Sequence, residues 1–135
     1  MPRVSVITIA GDESLAVLER CGRALRRQTA PDWEWLIAWE GRAYAGPRRD
    51  PRIRWVRADS WNAAVAQAAG DVVLFLDARD ELERDALERI LEVLDAEPET
   101  DWVYADELVL EDGTYRPAHK PAWSPDRLRC ELYTG

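Results

Sequence analysis

Short apolar runs alternate along this chain with stretches of helical spacing. The first run, Arg3-Val4-Ser5-Val6-Ile7-Thr8-Ile9-Ala10, is rich in β-branched residues and nearly continuously apolar, as a strand covered on both faces would be. Gly11-Asp12-Glu13-Ser14 breaks it. Ser14 or Asp12 can then cap a helix whose apolar positions Leu15, Leu18, Cys21 or Gly22 and Leu25 recur at helical spacing. Arg26-Arg27-Gln28 places cations at its C-terminal dipole, and Pro31 prevents continuation. Trp33 to Trp39 reads as a second strand, Gly41 to Pro51 as a Gly/Pro/Arg loop, and Ile53 to Val56 as a third strand. Ser60 caps a helix predicted over Trp61–Ala69, closed by Gly70. Val72 to Leu76 is the most apolar run, and an amphipathic helix follows over roughly Glu83–Asp95. Trp102 to Ala105 reads as a fifth strand, and Asp106 to Tyr115 as a hairpin turning at Glu111-Asp112-Gly113. In the Pro-rich, aromatic tail from Arg116 to Gly135, Ser124-Pro125-Asp126 opens a short helix.

Alternating strands and helices imply an α/β fold with a mostly parallel sheet, helices on both faces and a C-terminal β-hairpin. Such sheets bind ligands outside the carboxyl ends of their strands, near the point where strand order reverses. The places of interest therefore follow Ala10, Trp39, Val56 and Leu76.

Composition narrows the chemistry. The chain has 135 residues, 47% hydrophobic and 33% charged, a single-domain balance without disorder. A net charge of -8 opposes non-specific nucleic-acid binding. The local cluster Arg42, Arg48, Arg49, Arg52 and Arg54 leaves room for an anionic small ligand. No apolar stretch has membrane-spanning length, and Met-Pro-Arg leads straight into a strand pattern, unlike a signal peptide. Cys21, Cys130 and His119 supply neither a zinc set nor a disulfide framework, and the natural setting is a reducing compartment.

The ionisable groups concentrate after Leu76. Asp77 and Asp80, on a turn leaving a buried strand, can aim carboxylates at one small volume, as Mg²⁺ or Mn²⁺ clamping a diphosphate requires. Asp80, Glu81, Glu83 and Asp85 equally fit acid enrichment in the first turn of a helix.

The wider order of features carries a resemblance. It comprises Val4 to Ile9, then Gln28-Thr29 ahead of Trp33-Glu34-Trp35, then Asn62, then Ala69-Gly70-Asp71 leading into Val72–Asp77 with Asp80, Leu82 and Asp85-Ala86-Leu87. Together these resemble the family 2 glycosyltransferases. Asp101-Trp102-Val103-Tyr104-Ala105-Asp106-Glu107 and Lys120-Pro121-Ala122-Trp123-Ser124-Pro125-Asp126 resemble the bacterial rhamnosyltransferase-type branch. The resemblance implies a nucleotide-diphospho-sugar transferase (Rossmann-like) fold, with residues 1–135 as one donor-binding part of a longer or truncated protein. Residues 1–105 form the βα core, and 106–135 the hairpin and tail. It implies inverting transfer from a nucleotide-diphospho-sugar donor to a glycan, polysaccharide or lipid-linked acceptor. A divalent cation, Mg²⁺ or Mn²⁺, would sit on an Asp-x-Asp element, and a carboxylate base would act on the acceptor hydroxyl. The setting it implies is cell-envelope polysaccharide assembly in the cytoplasm, near the inner membrane face through other parts or partners.

The pattern breaks at three places. Arg79 stands where the family has the carboxylate nearest the metal, so Asp77 and Asp80 remain as candidate metal ligands. Either Arg79 contacts the diphosphate, or Asp80 substitutes as ligand, or Arg79 points to solvent and the metal site is lost. Trp39-Glu40-Gly41-Arg42 replaces the usual Asp-Asp-Gly-Ser, so Glu40 takes the place of the base-contacting acid. Trp39 then either stacks on a base or packs. Ile9-Ala10-Gly11-Asp12 replaces the usual Pro-Thr-Tyr-Asn. The candidate donor-binding residues are thus Glu40, Asn62, Asp77 and Arg79, with Asn62 equally fitted to satisfy helix N-terminal amides. Asp106 and Glu107 either complete an acidic site or line a hairpin, and no residue matches the catalytic base. A degenerate, non-catalytic binding module of the same fold is the rival reading.

Overall fold

The computed structural model describes residues 1–11, 15–41 and 50–122, which fall into two compact units, Met1–Val93 and Leu94–Gly135. The expected cap at Asp12 or Ser14, the loop cations Arg42, Arg48 and Arg49, the helix at Ser124 and Cys130 lie outside the described residues.

In the first unit, β1 (Val4–Ile9), β2 (Trp33–Trp39), β3 (Ile53–Arg57) and β4 (Val72–Phe75) form an all-parallel sheet of order β3-β2-β1-β4. The helices are α1 (Leu15–Arg26), α2 (Trp61–Val65) and α3 (Ala86–Ala96). Because side chains alternate across a strand, Val4 and Val6 of β1 and Trp33, Trp35 and Ile37 of β2 share one face. They pack there with Leu18, Cys21 and Leu25 of α1 and Leu87 and Leu91 of α3. Ile7, Leu36, Ala38 and Val56 face the other way, against Ala64 of α2. Both faces are therefore covered by helices, which is why β1 and β2 read as unbroken apolar runs. Trp35 satisfies its indole by donating from Nε1 to the buried Thr8 hydroxyl (2.9 Å).

One buried position on the α2 face is charged. Glu34, the second residue of β2, is only 6% exposed. Its Oε1 accepts from Ser5 Oγ (2.7 Å) and from the Ala69 backbone N–H (2.7 Å), and its Oε2 accepts from Arg54 Nε (3.1 Å) and Nη2 (2.8 Å). Ser5 Oγ in turn accepts from the Gly70 N–H at 2.8 Å. A Cβ at Gly70 would lie 2.8 Å from Ser5 N and 2.9 Å from the Arg3 carbonyl, so the close approach of chain to sheet demands glycine. This network shortens the expected Trp61–Ala69 helix. Gln67 and Ala68 close tight i→i−3 turns, and the Ala69 and Gly70 amides turn to Glu34 and Ser5 instead of a fourth-residue carbonyl.

A second polar latch sits on the opposite face. Gln28 Nε2 donates to the Glu83 carbonyl (2.7 Å), and its Oε1 accepts the Leu87 N–H (3.1 Å), one of the amides that the start of α3 leaves without a helical partner. Thr29 adds a bond from its N–H to the Arg84 carbonyl (2.9 Å) and from its hydroxyl to Glu88 (2.6 Å). The helix expected from Glu83 accordingly begins at Ala86.

Of the arginines expected to form a basic cluster, the two described ones are engaged by other groups. Arg52 lies 3.9 Å over the Trp33 ring and forks onto Asp50, while Arg54 is committed to Glu34, both near the amino end of the sheet. Cys21 is buried against the sheet as expected, and burial, reinforced by the charges of Glu81 and Asp80, pushes its thiol up to about 12.

In the second unit, β5 (Glu107–Glu111) and β6 (Thr114–Ala118) pair antiparallel. Both turn residues, Asp112 (φ 49°) and Gly113 (φ 76°), adopt the left-handed backbone that a two-residue hairpin turn needs. Residues 102–105 are not the strand their composition suggests. They pair with no ladder, Trp102 is exposed, and Tyr104 instead donates its hydroxyl to the Pro121 carbonyl (2.7 Å). Strand propensity without a neighbouring edge to bond leaves irregular chain. Among the described residues no helix is long and apolar enough to cross a membrane.

Burial raises the Glu34 carboxyl, but hydrogen bonds from Ser5, Ala69 and Arg54 outweigh it and hold the carboxyl below its ordinary value of 4.5. The stability it contributes is thus present above that value and lost as the pH falls through the lower folded one. Urea unfolding across this range is expected to show Glu34→Gln destabilised near neutral pH by about 1–3 kcal/mol, because Arg54 is half-open to water and can rehydrate. The variant should also lose part of the acid-side fall in stability. An unchanged urea midpoint would show that the network does not hold the sheet.

Candidate functional site

The strand order reverses between β1 and β4, since β2 and β3 build outward on one side of β1 and β4 on the other. In parallel α/β sheets the crevice beyond the carboxyl ends at such a reversal is where ligands sit. The chain leaves β4 there through Leu76, whose N–H extends the ladder to the Ile7 carbonyl (2.9 Å), and enters the turn Asp77-Ala78-Arg79-Asp80. The Asp80 N–H closes this turn on the Asp77 carbonyl (3.0 Å). Ala78 is 2% exposed and anchors the turn in the core, so its neighbours Asp77 and Arg79 face outward. From α1, Arg20 Nη2 donates to the Arg79 carbonyl (3.1 Å), and Arg20 Nε pairs with Glu81 (3.0 Å). The loop is thus pinned by burial beneath and by a helix at its side, and nothing in the sequence pattern had pointed to Arg20.

Asp77 and Arg79 are brought together. Asp77 Oδ1 accepts from the Arg79 N–H (2.9 Å) and Nε (3.0 Å), and Oδ2 accepts from Nη2 (3.0 Å). The Arg79 hydrogen bonds hold the Asp77 carboxyl below the usual carboxylate range. The Arg79 and Asp77 side chains are 72% and 45% exposed respectively, so water screens the pair and it adds little to stability. Its effect is to fix direction. The pair locks the guanidinium plane onto the carboxylate at the mouth of the sheet.

This geometry does not suit a divalent cation. Both oxygens of Asp77 face a guanidinium, and Glu81 is paired with Arg20. Among the described residues no group of three or more His, Cys, Asp or Glu side chains gathers in a way that could hold a metal. A doubly charged ion on Asp77 would be repelled by the adjoining guanidinium, and a separation of roughly 5 Å serves for scale. The repulsion is roughly 2 kcal/mol at a water-like dielectric and roughly 7 kcal/mol at a surface value of ~20. Asp80 also lies ahead of α3 and not in its first turn, so the reading of Asp80 and Glu81 as helix-dipole acids does not hold.

The other expected residues share the carboxyl edge without touching this loop. Glu40 is exposed just past the end of β2. Asn62 is exposed in the first turn of α2, whose cap is Ser60, its Oγ accepting the Ala63 N–H (3.3 Å), so Asn62 is not needed for that task. At about 4.8 Å per strand, the β2 and β3 ends stand roughly 10 and 14 Å from that of β4. Trp39 is half-buried and packs against the core. Its ring meets Trp55 edge-on (centroids 6.3 Å apart, planes at 74°), its Nε1 is buried, and Gly41 lies against it. An exposed aromatic pair that the sequence reading missed is Trp61 with Phe75, 4.8 Å apart at 76°. In the second unit, Asp106 accepts the Lys120 N–H (2.6 Å) and pairs with His119 (3.0 Å), while Glu107 pairs with Lys120 (3.1 Å). Both acids therefore close the open end of the hairpin.

The family described as Glycosyl transferase family 2 matches residues 50–129. The O-antigen biosynthesis protein RfbC of Myxococcus xanthus is 34% identical over 151 residues, covering 98% of this chain and 12% of that protein. The uncharacterized protein y4gI of Sinorhizobium fredii (strain NBRC 101917 / NGR234) is 32% identical over 146 residues, covering 94% of this chain and 16% of its own length. The chain thus spans less than a fifth of either relative. Residues 1–349 of S. aureus TarS, solved in complex with UDP-GlcNAc, superpose with a TM-score of 0.58 at 19% identity, over 70% of this chain and 31% of that one. That likeness is one of fold, and the α/β architecture with its parallel sheet is common to both.

If the Arg79 fork sets the state of Asp77, Arg79→Ala should raise the Asp77 carboxyl toward its ordinary value of 3.8. Carboxyl-carbon NMR titration reads this directly, and an unmoved midpoint would show that the pair does not persist in solution.

Proposed function

This chain belongs to glycosyl transferase family 2, and on that premise we propose that it binds a nucleotide-diphospho-sugar across the carboxyl ends of its parallel sheet. The observation that carries the reading is the placement of Glu40, Asn62, Asp77 and Arg79 along one edge, with the Asp77–Arg79 loop at the reversal of strand order. In this reading Glu40 and Asn62 meet the nucleoside half of the donor, and the Asp77–Arg79 loop meets the diphosphate. The roughly 14 Å from the β4 end to the β3 end suits an extended ligand lying across the strands.

The transfer this implies is inverting. An acceptor hydroxyl attacks the anomeric carbon as the bond to the diphosphate oxygen breaks, and the nucleoside diphosphate leaves. The hydroxyl proton passes to a carboxylate base, a role assigned to no residue of this chain. The chain's own contribution is to orient the donor and to offer N–H donors toward the charge that grows on the departing diphosphate. Similarity to a protein named for O-antigen biosynthesis favours a glycan, polysaccharide or lipid-linked acceptor, with the work done on the cytoplasmic side of the envelope. The TarS complex supports UDP-GlcNAc as the first donor to try.

Calorimetric titration of the chain with UDP-, dTDP- and GDP-sugars is expected to give saturable binding with one nucleotide. Glu40→Ala and Asn62→Ala should each weaken it by roughly ten-fold, the loss of one hydrogen bond at a charged or polar ligand group. Absence of binding with all three would refute the donor site and favour a fold retained as an interaction module.

A further inference from the structure

Resting on the donor-site reading above, we propose that Arg79 takes the place of a divalent cation at the donor diphosphate, and that donor binding by this chain is metal-independent.

The acids of this loop are already spoken for. Of Asp77, Asp80 and Glu81, the first is forked by Arg79 and the third is paired with Arg20 at 3.0 Å. Proteins hold Mg²⁺ against a phosphate through one or two carboxylates, and neither Asp77 nor Glu81 can serve as one without giving up its guanidinium partner. The guanidinium, by contrast, is held as a recognition group. The buried Ala78 and the Asp80-to-Asp77 turn bond fix the backbone, Arg20 Nη2 holds the Arg79 carbonyl, and Asp77 orients the plane. Asp77 engages Nε and Nη2 of a group with five N–H donors in a planar fork. The other edge of that plane, Nη1 with Nη2, has the spacing that matches the paired oxygens of a phosphate in a way that a point charge does not.

Among the described residues of this loop and its α1 contact, two cations (Arg20, Arg79) stand against three acids (Asp77, Asp80, Glu81), so these groups give no net positive field to attract a diphosphate. Its affinity has to come from directed hydrogen bonds. Asp77 is then a positioning residue, and Arg79 the group that touches the ligand.

The test titrates the chain with the nucleotide-sugars named above, once in EDTA and once with excess MnCl₂. The expected dissociation constants agree within about two-fold, and Arg79→Ala weakens binding roughly ten- to a hundred-fold in both buffers, the loss of a charge-assisted fork. Arg79→Lys, which keeps the charge but not the fork, should fall between the two. Because Arg79 is exposed, its melting temperature is expected to be unchanged on substitution, and circular dichroism checks this. Binding seen only with Mn²⁺ would overturn the proposal and leave the donor site standing. Metal-independent binding indifferent to Arg79→Ala would overturn it too. No binding in either buffer would remove the donor-site reading and this inference with it.

Discussion

The arrangement of this domain depends on one buried carboxylate. Glu34 lies inside a parallel sheet, where an unpaired charge would cost several kcal/mol. It is kept ionised by bonds from three directions: the Ser5 hydroxyl on β1, the Arg54 guanidinium on β3 and the Ala69 amide on the connection into β4. One side chain thereby ties β1, β2 and β3 to the segment that delivers β4. β4 is the strand that ends at Asp77, and the tied connection is also the tail of the helix that carries Asn62. An alkyl group at position 34 could fill the volume, but it would leave the Ala69 amide and the Ser5 hydroxyl without their acceptor.

Gln28 does the complementary work on the other face. Its amide bridges the end of α1 to the start of α3, accepting from Leu87 and donating to Glu83, so the chain that leaves the site loop is gathered back onto the first helix. With Arg20 reaching the Arg79 carbonyl from the same helix, α1 becomes the wall against which the Asp77–Glu81 loop is set. The loop's shape is therefore fixed by its buried Ala78, its own turn bond and the α1 wall, and its exposed charges need contribute little to folding.

The sequence made the strands readable because burial on both faces writes itself as unbroken apolar runs, as in Val4–Ile9 and Trp33–Trp39. The hairpin was readable because Asp112-Gly113 is a backbone requirement as much as a preference. The edge bearing Glu40, Asn62, Asp77 and Arg79 followed from topology together with the family resemblance. Other features were hidden. The shortened end of α2 and the late start of α3 are set by Glu34, Ser5 and Gln28, partners 35, 65 and 59 positions away in the chain, which no local window reports. Trp102–Ala105 has the composition of a strand but no ladder, and pairing is a property of neighbours, not of residues. Arg52 and Arg54 looked like part of a basic cluster because charge is visible in a sequence and its commitment to Asp50 or Glu34 is not.

Cys21 shows what this construction means over time. It lies on α1 next to Arg20, buried against the sheet, and with its thiol pushed up to about 12 almost none of it is thiolate at neutral pH. Its reaction with a thiol reagent must then wait for α1 to lift away, so the labelling rate, once Cys130 is replaced, measures the free energy of that local opening. The helix that would have to lift is the one that holds the site loop. A cysteine with no evident role in chemistry thus serves as a clock for how often the site comes apart.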